Sequence, residues 1–244
     1  MSKTNLRPSA ANLSVANIKA VAFDAYGTVI DFTEPAFIAT MAEICDRQGL
    51  QADAADLWRR FLRAALTFRS ENHHEPVYRR YDEAWAAQFE HVFRRLKLPG
   101  DAWDASLYMK KKLATASIFP EVLPALEALR PRYRLALLSN ADDDFLEACL
   151  QRNGLAFEVI VTSERAGAIK PDPAIFHHLA SALGLPPGQI LHVGDNPVPD
   201  VLGARRAGLP VAWVNRLGLR RPRRVPPPDV MVRSLAELVP LLAA

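Results

Sequence analysis

Cysteine is scarce in this sequence: Cys45 and Cys149 are the only two among 244 residues. Each sits among apolar neighbours at helical spacing, so they read as buried free thiols rather than a disulfide framework or a thiolate metal cluster. Histidine offers no metal spacing either, because His73-His74 and His177-His178 are adjacent pairs whose side chains diverge on a helix. Long apolar runs are missing, and no segment reaches membrane-spanning length. Residues 1–17 are polar, lack the hydrophobic stretch of a signal peptide, and read as a disordered lead-in. A cytoplasmic protein is expected. Charge of one sign is missing too: 30 basic against 27 acidic side chains leave +3. Part of that excess crowds one Pro-rich loop, at Arg220, Arg221, Arg223 and Arg224, with no aromatic interleaving. A solvated loop is expected there, with neither a nucleic-acid nor a membrane partner.

What is present is the mix of a globular protein with an ample core, 50% hydrophobic and 23% charged. Short apolar runs at 20–23, 135–138, 159–162, 190–193 and 210–214, with a weaker one at 230–232, alternate with helical patterns at 121–129, 142–153, 173–183 and 200–207. Such alternation predicts an α/β fold, a Rossmann-like parallel sheet with crossover helices. Asp142, Asp143 and Asp144 suit the positive end of one helix, and Gly154 suits its stop. One crossover, spanning residues 31–134, is far longer than a βαβ connection needs. Its pattern is helical at 35–47, 54–69, 77–96 and 103–114. Leu57, Phe61, Ala64, Ala65 and Phe68 trace one apolar face, and Tyr81, Trp85, Phe89, Val92 and Phe93 another. The expected organisation is a core from residues 18–31 and 116–244, with a helical cap from 32–115 over the sheet's carboxyl edge.

Four polar groups reach strand ends from distant parts of the chain. Asp24 follows the first strand; a carboxylate there can attack carbon or phosphorus and form an ester that water cleaves. Gly27 permits a tight turn and Thr28 can hold the loop. Ser139 and Asn140 close a second strand, where a hydroxyl and a backbone N–H can bind the non-attacked oxygens of a phosphate or carboxylate. Lys170 precedes a rigid Pro171-Asp172-Pro173 turn and can neutralise nucleophile and substrate together. Asp195 and Asp200 follow a third strand. With Asp24 and the backbone carbonyl of Tyr26, they form an oxygen-rich set that suits Mg²⁺.

In type and order these motifs resemble the haloacid dehalogenase superfamily: Asp24 with Gly27-Thr28, then Ser139, Lys170, and Asp195 with Asp200. The resemblance implies a covalent aspartyl ester at Asp24, a helical cap inserted after the nucleophile loop, and a small anionic substrate. Its two ends point to different branches. The Asp195 and Asp200 spacing looks like the Mg²⁺-dependent phosphatases. Asp24-Ala25-Tyr26-Gly27-Thr28 looks like the 2-haloacid dehalogenases, where a halide leaves without a proton and the second aspartate of the phosphatases is not needed. Trp58-Arg59 resembles the segment whose arginine binds the halide in that branch, and Trp213-Val214-Asn215-Arg216 is similar as well. The expected substrate contacts are Thr28, Arg59, Ser139 and Asn140. On the metal argument the sequence ranks first a Mg²⁺-dependent phosphatase-like hydrolase of a small phosphorylated metabolite. The alternative is a metal-independent 2-haloacid dehalogenase, and the third reading is a catalytically weak binding or regulatory protein. A monomer or a homodimer is expected.

Overall fold

In the computed structural model, which describes residues 14–71 and 78–243, six strands form one parallel sheet. The strands are β1 (Ala20–Phe23), β2 (Arg134–Ser139), β3 (Val159–Thr162), β4 (Ile190–Gly194), β5 (Val211–Val214) and β6 (Val230–Val232), in the order β3-β2-β1-β4-β5-β6. β1 lies between β2 and β4 with Phe23 level with Leu137 and Val193. All four residues of β1 are buried, so it carries a continuous apolar run instead of alternation. Its two faces feed different cores: Val21 and Phe23 pack on one side, Ala20 and Ala22 on the other.

The helices are α1 (Glu34–Gln48), α2 (Ala54–Glu71), α3 (Tyr81–Leu96), α4 (Ala102–Ala114), α5 (Val122–Leu129), α6 (Asp143–Arg152), α7 (Ser163–Ala166), α8 (Pro173–Leu183), α9 (Gly203–Arg206) and α10 (Leu235–Ala243). One sheet face is covered by α5, α6 and α10 through Leu126, Leu146 and Leu238, and the other by α8 and α9 through Phe176, Leu179 and Ala204. Helices α1 to α4 form the insert between β1 and β2. An aromatic file runs through it: Phe32 to Phe37 (ring centroids 4.7 Å apart), Phe37 to Trp58 (4.5 Å), Trp58 to Phe61 (5.9 Å), Phe61 to Phe89 (4.6 Å) and Phe89 to Phe93 (5.5 Å). This burial of large rings is what makes the amphipathic helices cohere.

Three sequence expectations shift. The third insert helix starts at Tyr81 and not at 77, because the core pins the preceding segment: Asp142 accepts from Tyr78 Oη (2.6 Å) and from the Tyr81 N–H (2.8 Å). Val77, His73, His74 and the side chain of Phe68 lie outside the described residues. The helix expected over 200–207 begins earlier, as a π-helical turn Pro197–Leu202 that runs into α9. Helix α10 escapes a sequence reading because Pro240 lies inside it. Of the lead-in, residues 1–13 lie outside the described residues, and Val15–Asn17 forms one 3₁₀ turn. Among the described residues no helix is long and apolar enough to cross a membrane.

Candidate active site

The strand order places the site. After β1 the chain winds outward through β2 and β3, then returns to β4 on the other side of β1. The crevice beyond the carboxyl ends of β1 and β4 is therefore the topological switch point, the usual place for a ligand in an open sheet. Asp24 leaves β1 there, with its N–H donating to the Val193 carbonyl at 2.8 Å. Gly27 lets the following loop fold tightly: its φ is +90°, and a Cβ there would lie 2.5 Å from an Asp195 carboxylate oxygen. The same demand falls on Gly194, where a Cβ would meet Asp200 at 2.3 Å.

Lys170 is the hub. Buried at 1% exposure, its Nζ donates to Asp24 Oδ1 (2.6 Å), Asp200 Oδ1 (2.6 Å) and the Leu138 carbonyl (3.2 Å), so all three of its protons are used. Burial opposes its charge, but Asp200 and Asp24 outweigh burial and hold the ammonium above its ordinary pKa. Asn140 fixes the lysine's backbone from both sides, accepting from the Lys170 N–H (2.7 Å) and donating to its carbonyl (3.1 Å). Its side chain is thus committed to Lys170, which departs from the substrate role expected of it, although Asn140 also lines the cavity.

Asp200 is similarly occupied. Oδ1 takes Lys170 and stands 3.0 Å from His192 Nε2, while Oδ2 accepts the Asn196 N–H at 2.9 Å. Burial alone would raise its pKa; Lys170 and His192 overcome that and hold the carboxyl well below the usual range. His192 is a site residue that the sequence reading passed over. The available signal was a lone imidazole within the apolar run of β4.

Asp195 is different. It is half-buried, its Oδ1 accepts from Thr28 Oγ1 at 3.3 Å, and its backbone carbonyl is gripped by Trp213 Nε1 at 2.8 Å. Burial, then Asp24 and Asp200, push its carboxyl well above the ordinary range. Asp24 is raised as well, chiefly by burial, with Lys170 pulling against it. Thr28 is fully buried and serves Asp195, not a ligand.

Tyr26 points its hydroxyl away from the nucleophile, donating to the Leu113 carbonyl of α4 at 3.4 Å. Burial, then Cys149 and Asp24, drive its pKa well upward. A cavity of about 370 Å³ opens above these groups, lined on the core side by Asp24, Ser139, Asn140, Lys170 and Asp195, and on the insert side by Phe32, Phe37, Trp58 and Leu62. Arg59 is not among the lining residues. On α2 it is solvent-facing, donates to the Ala55 carbonyl (3.3 Å) and pairs with Asp56 (3.2 Å), so its expected substrate contact is not formed. The guanidinium beside the nucleophile loop is Arg216, which binds the carbonyls of Gly27 (3.3 Å) and Thr28 (2.9 Å), pairs with Glu121 (2.6 Å) and covers the Phe119 ring at 3.6 Å.

A family model for haloacid dehalogenase-like hydrolases matches residues 18–208. The chain belongs to that family. Haloacetate dehalogenase H-2 of Moraxella sp. (strain B) is 31% identical over 237 residues, covering 93% of this chain and 98% of the relative. Phosphoserine phosphatase of Thermus thermophilus is 38% identical over a shorter stretch of 168 residues, 64% of this chain and 66% of the relative. A crystal structure of an L-2-haloacid dehalogenase superposes with a TM-score of 0.79 at 25% identity, covering 93% of this chain and 99% of that one. This haloacid dehalogenase-like hydrolase thus has relatives in both branches, and the dehalogenases align with it over nearly their whole length.

In this hydrolase one oxygen from each of Asp24, Asp195 and Asp200 falls within 4.8 Å of the others. Three carboxylates against one ammonium is a donor set that fits a hard divalent cation. Asp200 is already bonded at both oxygens, which leaves Asp24 and Asp195 as the carboxylates of this set with an oxygen to offer.

Proposed function

We propose that this hydrolase displaces halide from a small 2-haloacid through an ester on Asp24, which reverses the order in which the sequence ranked the two reactions. The observation that carries the reading is Tyr26. A phosphate monoester with an alkyl leaving group needs a proton donor beside the nucleophile, and general acid catalysis is worth ~10²–10⁴-fold. Here the side chain at that position is a half-buried phenol whose hydroxyl is bonded elsewhere. A halide leaves without a proton. The aromatic insert wall suits a small carbon skeleton, and the full-length relatives named as haloacetate and L-2-haloacid dehalogenases agree.

The bonds already formed support one allocation of roles. Asp24 Oδ1 is held by Lys170, so Oδ2 is the oxygen free to attack. Ser139 and the backbone around it receive the substrate carboxylate. Esterification removes the charge of Asp24, and with it one of the causes that raise the Asp195 pKa. Asp195 then becomes the base that takes a proton from water as it attacks the ester carbonyl, while Lys170 supports the oxyanion.

A second reading rests on the acidic cluster: hydrolysis of acyl or aryl phosphates, whose leaving groups also depart unprotonated. Bound at Asp24, Asp195 and the Tyr26 carbonyl, Mg²⁺ would neutralise the phosphoryl oxygens. The deciding experiment measures halide release from 2-chloropropionate with and without chelator, beside hydrolysis of an aryl phosphate with and without Mg²⁺. Chelator-insensitive halide release supports the dehalogenase. Phosphate release that requires Mg²⁺, with no halide release, transfers the site to the second reading.

A further inference from the structure

Six large apolar side chains stay exposed among the described residues, and three of them border one opening. Leu62 (42% exposed), Leu217 (54%) and Leu219 (48%) all line the cavity above Asp24. Lone exposed leucines are ordinary on a protein surface, whereas a cluster of them at a cavity marks a ligand-binding groove. They come from both sides of it, Leu62 from α2 and Leu217 and Leu219 from the loop after β5. That loop is held in place. Gly218, between its two leucines, turns at φ +65°, and Asn215 accepts from the Leu219 N–H (2.8 Å) and donates to the Leu219 carbonyl (3.0 Å). Thr33 and Glu34 complete the insert side, and Glu34 is the one charged residue that the insert brings to the lining. Arg220, Arg221, Arg223 and Arg224, which follow Leu219 in the chain, do not line it.

We propose that the acid dehalogenated at this site carries an uncharged aliphatic chain that lies along Leu62, Leu217 and Leu219. The proposal rests on the dehalogenase reading above and enlarges its substrate. The cavity volume, about 370 Å³, falls within the roughly 300–1,000 Å³ of pockets that take drug-sized ligands, more than a haloacetate fills. Asp24, Ser139 and Lys170 gather the reacting end of the acid on the core side, where buried charge leaves no room for a hydrocarbon. The chain on the reacting carbon must therefore run outward, past the three leucines at the opening. Each methylene laid against them leaves water together with the leucine surface it covers. A second anionic group at the far end of the chain is disfavoured by Glu34, whereas an apolar end is not.

The test is a chain-length series. Halide release from 2-chloropropionate, 2-chlorohexanoate and 2-chlorooctanoate is compared in the wild type. There kcat/KM should rise by about two- to fourfold for each methylene that becomes buried, through KM more than through kcat. In the double variant Leu217→Ser with Leu219→Ser, the ratio of kcat/KM for 2-chlorooctanoate to that for 2-chloropropionate should fall by roughly tenfold. Both side chains are about half exposed, and Asn215 holds the Leu219 backbone whatever its side chain, so this variant should fold. Binding is read without turnover in Asp24→Asn, which cannot form the ester: by calorimetry, octanoate should bind more tightly than propionate, and the two serine substitutions should remove that preference. Equal kcat/KM along the series, or a double variant that keeps the wild-type ratio, overturns the proposal. If that variant instead turns a dimer into a monomer, the leucines belong to an interface with a second copy of the chain, which overturns it equally. Absence of halide release from every acid overturns the reaction on which the proposal rests, and calorimetry still reads whether the opening takes a chain, so the two failures are told apart.

Discussion

At the scale of single residues, three carboxylates share one buried ammonium, and each is assigned by what it touches. Asp24 keeps one oxygen free, so Asp24→Asn should abolish turnover of every substrate while circular dichroism and melting stay near wild type; residual hydrolysis at a comparable rate would remove the covalent route. Because burial raises the Asp24 pKa, and its ionised form is the nucleophile, the acid limb of kcat/KM should fall above the ordinary carboxylate value of about 4. A pH profile flat down to about pH 4 would contradict that. Asp195→Asn should let the ester form but not break, giving a burst of about one halide per enzyme before a stall. If the variant turns over steadily and only its demand for Mg²⁺ rises, Asp195 is a metal ligand and not the base.

At the scale of elements, the insert is tied to the core by a polar joint beside the site. Arg80, just before α3, reaches Glu164 (2.7 Å), Asp144 (3.1 Å) and Asp82 (3.2 Å), and Lys110 of α4 reaches Asp144 (2.6 Å) and Asp82 (2.8 Å). These pairs are partly exposed and individually weak, but together they set where α3 and α4 rest on α6 and α7. Since α1 and α2 wall the cavity and pack on the same helices, loosening the joint should blur the wall. Arg80→Gln is expected to raise KM by about two- to fivefold, with little change in kcat. Added salt should raise the wild-type KM toward the variant's value. If KM and its salt dependence are unaltered, the joint does not govern the cavity.

At the scale of the whole molecule, the site is bought with buried charge. Asp200 carries no chemistry in the proposed reaction, yet it neutralises Lys170 and accepts from Asn196. Removing one partner of a buried pair typically costs about 3–5 kcal/mol, and Asp200→Asn should destabilise by the lower end of that range because Asp24 still contacts the ammonium. The sign in pH is given by its depressed pKa. A depressed carboxyl stabilises the fold above the unfolded-state value near ~4 and loses that contribution as pH falls through its folded value. The gap between wild type and variant in chemical denaturation should therefore be full at neutral pH and shrink in acid below that point. A gap independent of pH would mean that packing, not charge, accounts for it.

The order of the strands' apolar runs, and the polar residue ending each, were legible in the sequence, because a parallel sheet buries continuous runs and delivers the residues just past them to one edge. Asp24, Ser139, Lys170 and Asp195 meet there for that reason, and the long first crossover could be read as helical because its apolar residues keep a 3.6-residue period. What the sequence could not decide is how the polar groups divide their bonds. Asp200 faces Lys170 and His192, Asn140 holds a backbone, Thr28 serves Asp195, Arg59 turns outward and Tyr26 bonds to α4, most of these choices made by neighbours scores of residues away in the chain. A motif specifies residue type and place along the chain. Which lone pair meets which proton is settled only when packing fixes the rotamers and removes water, and in this site that allocation separates a metal ligand from a lysine's counter-charge.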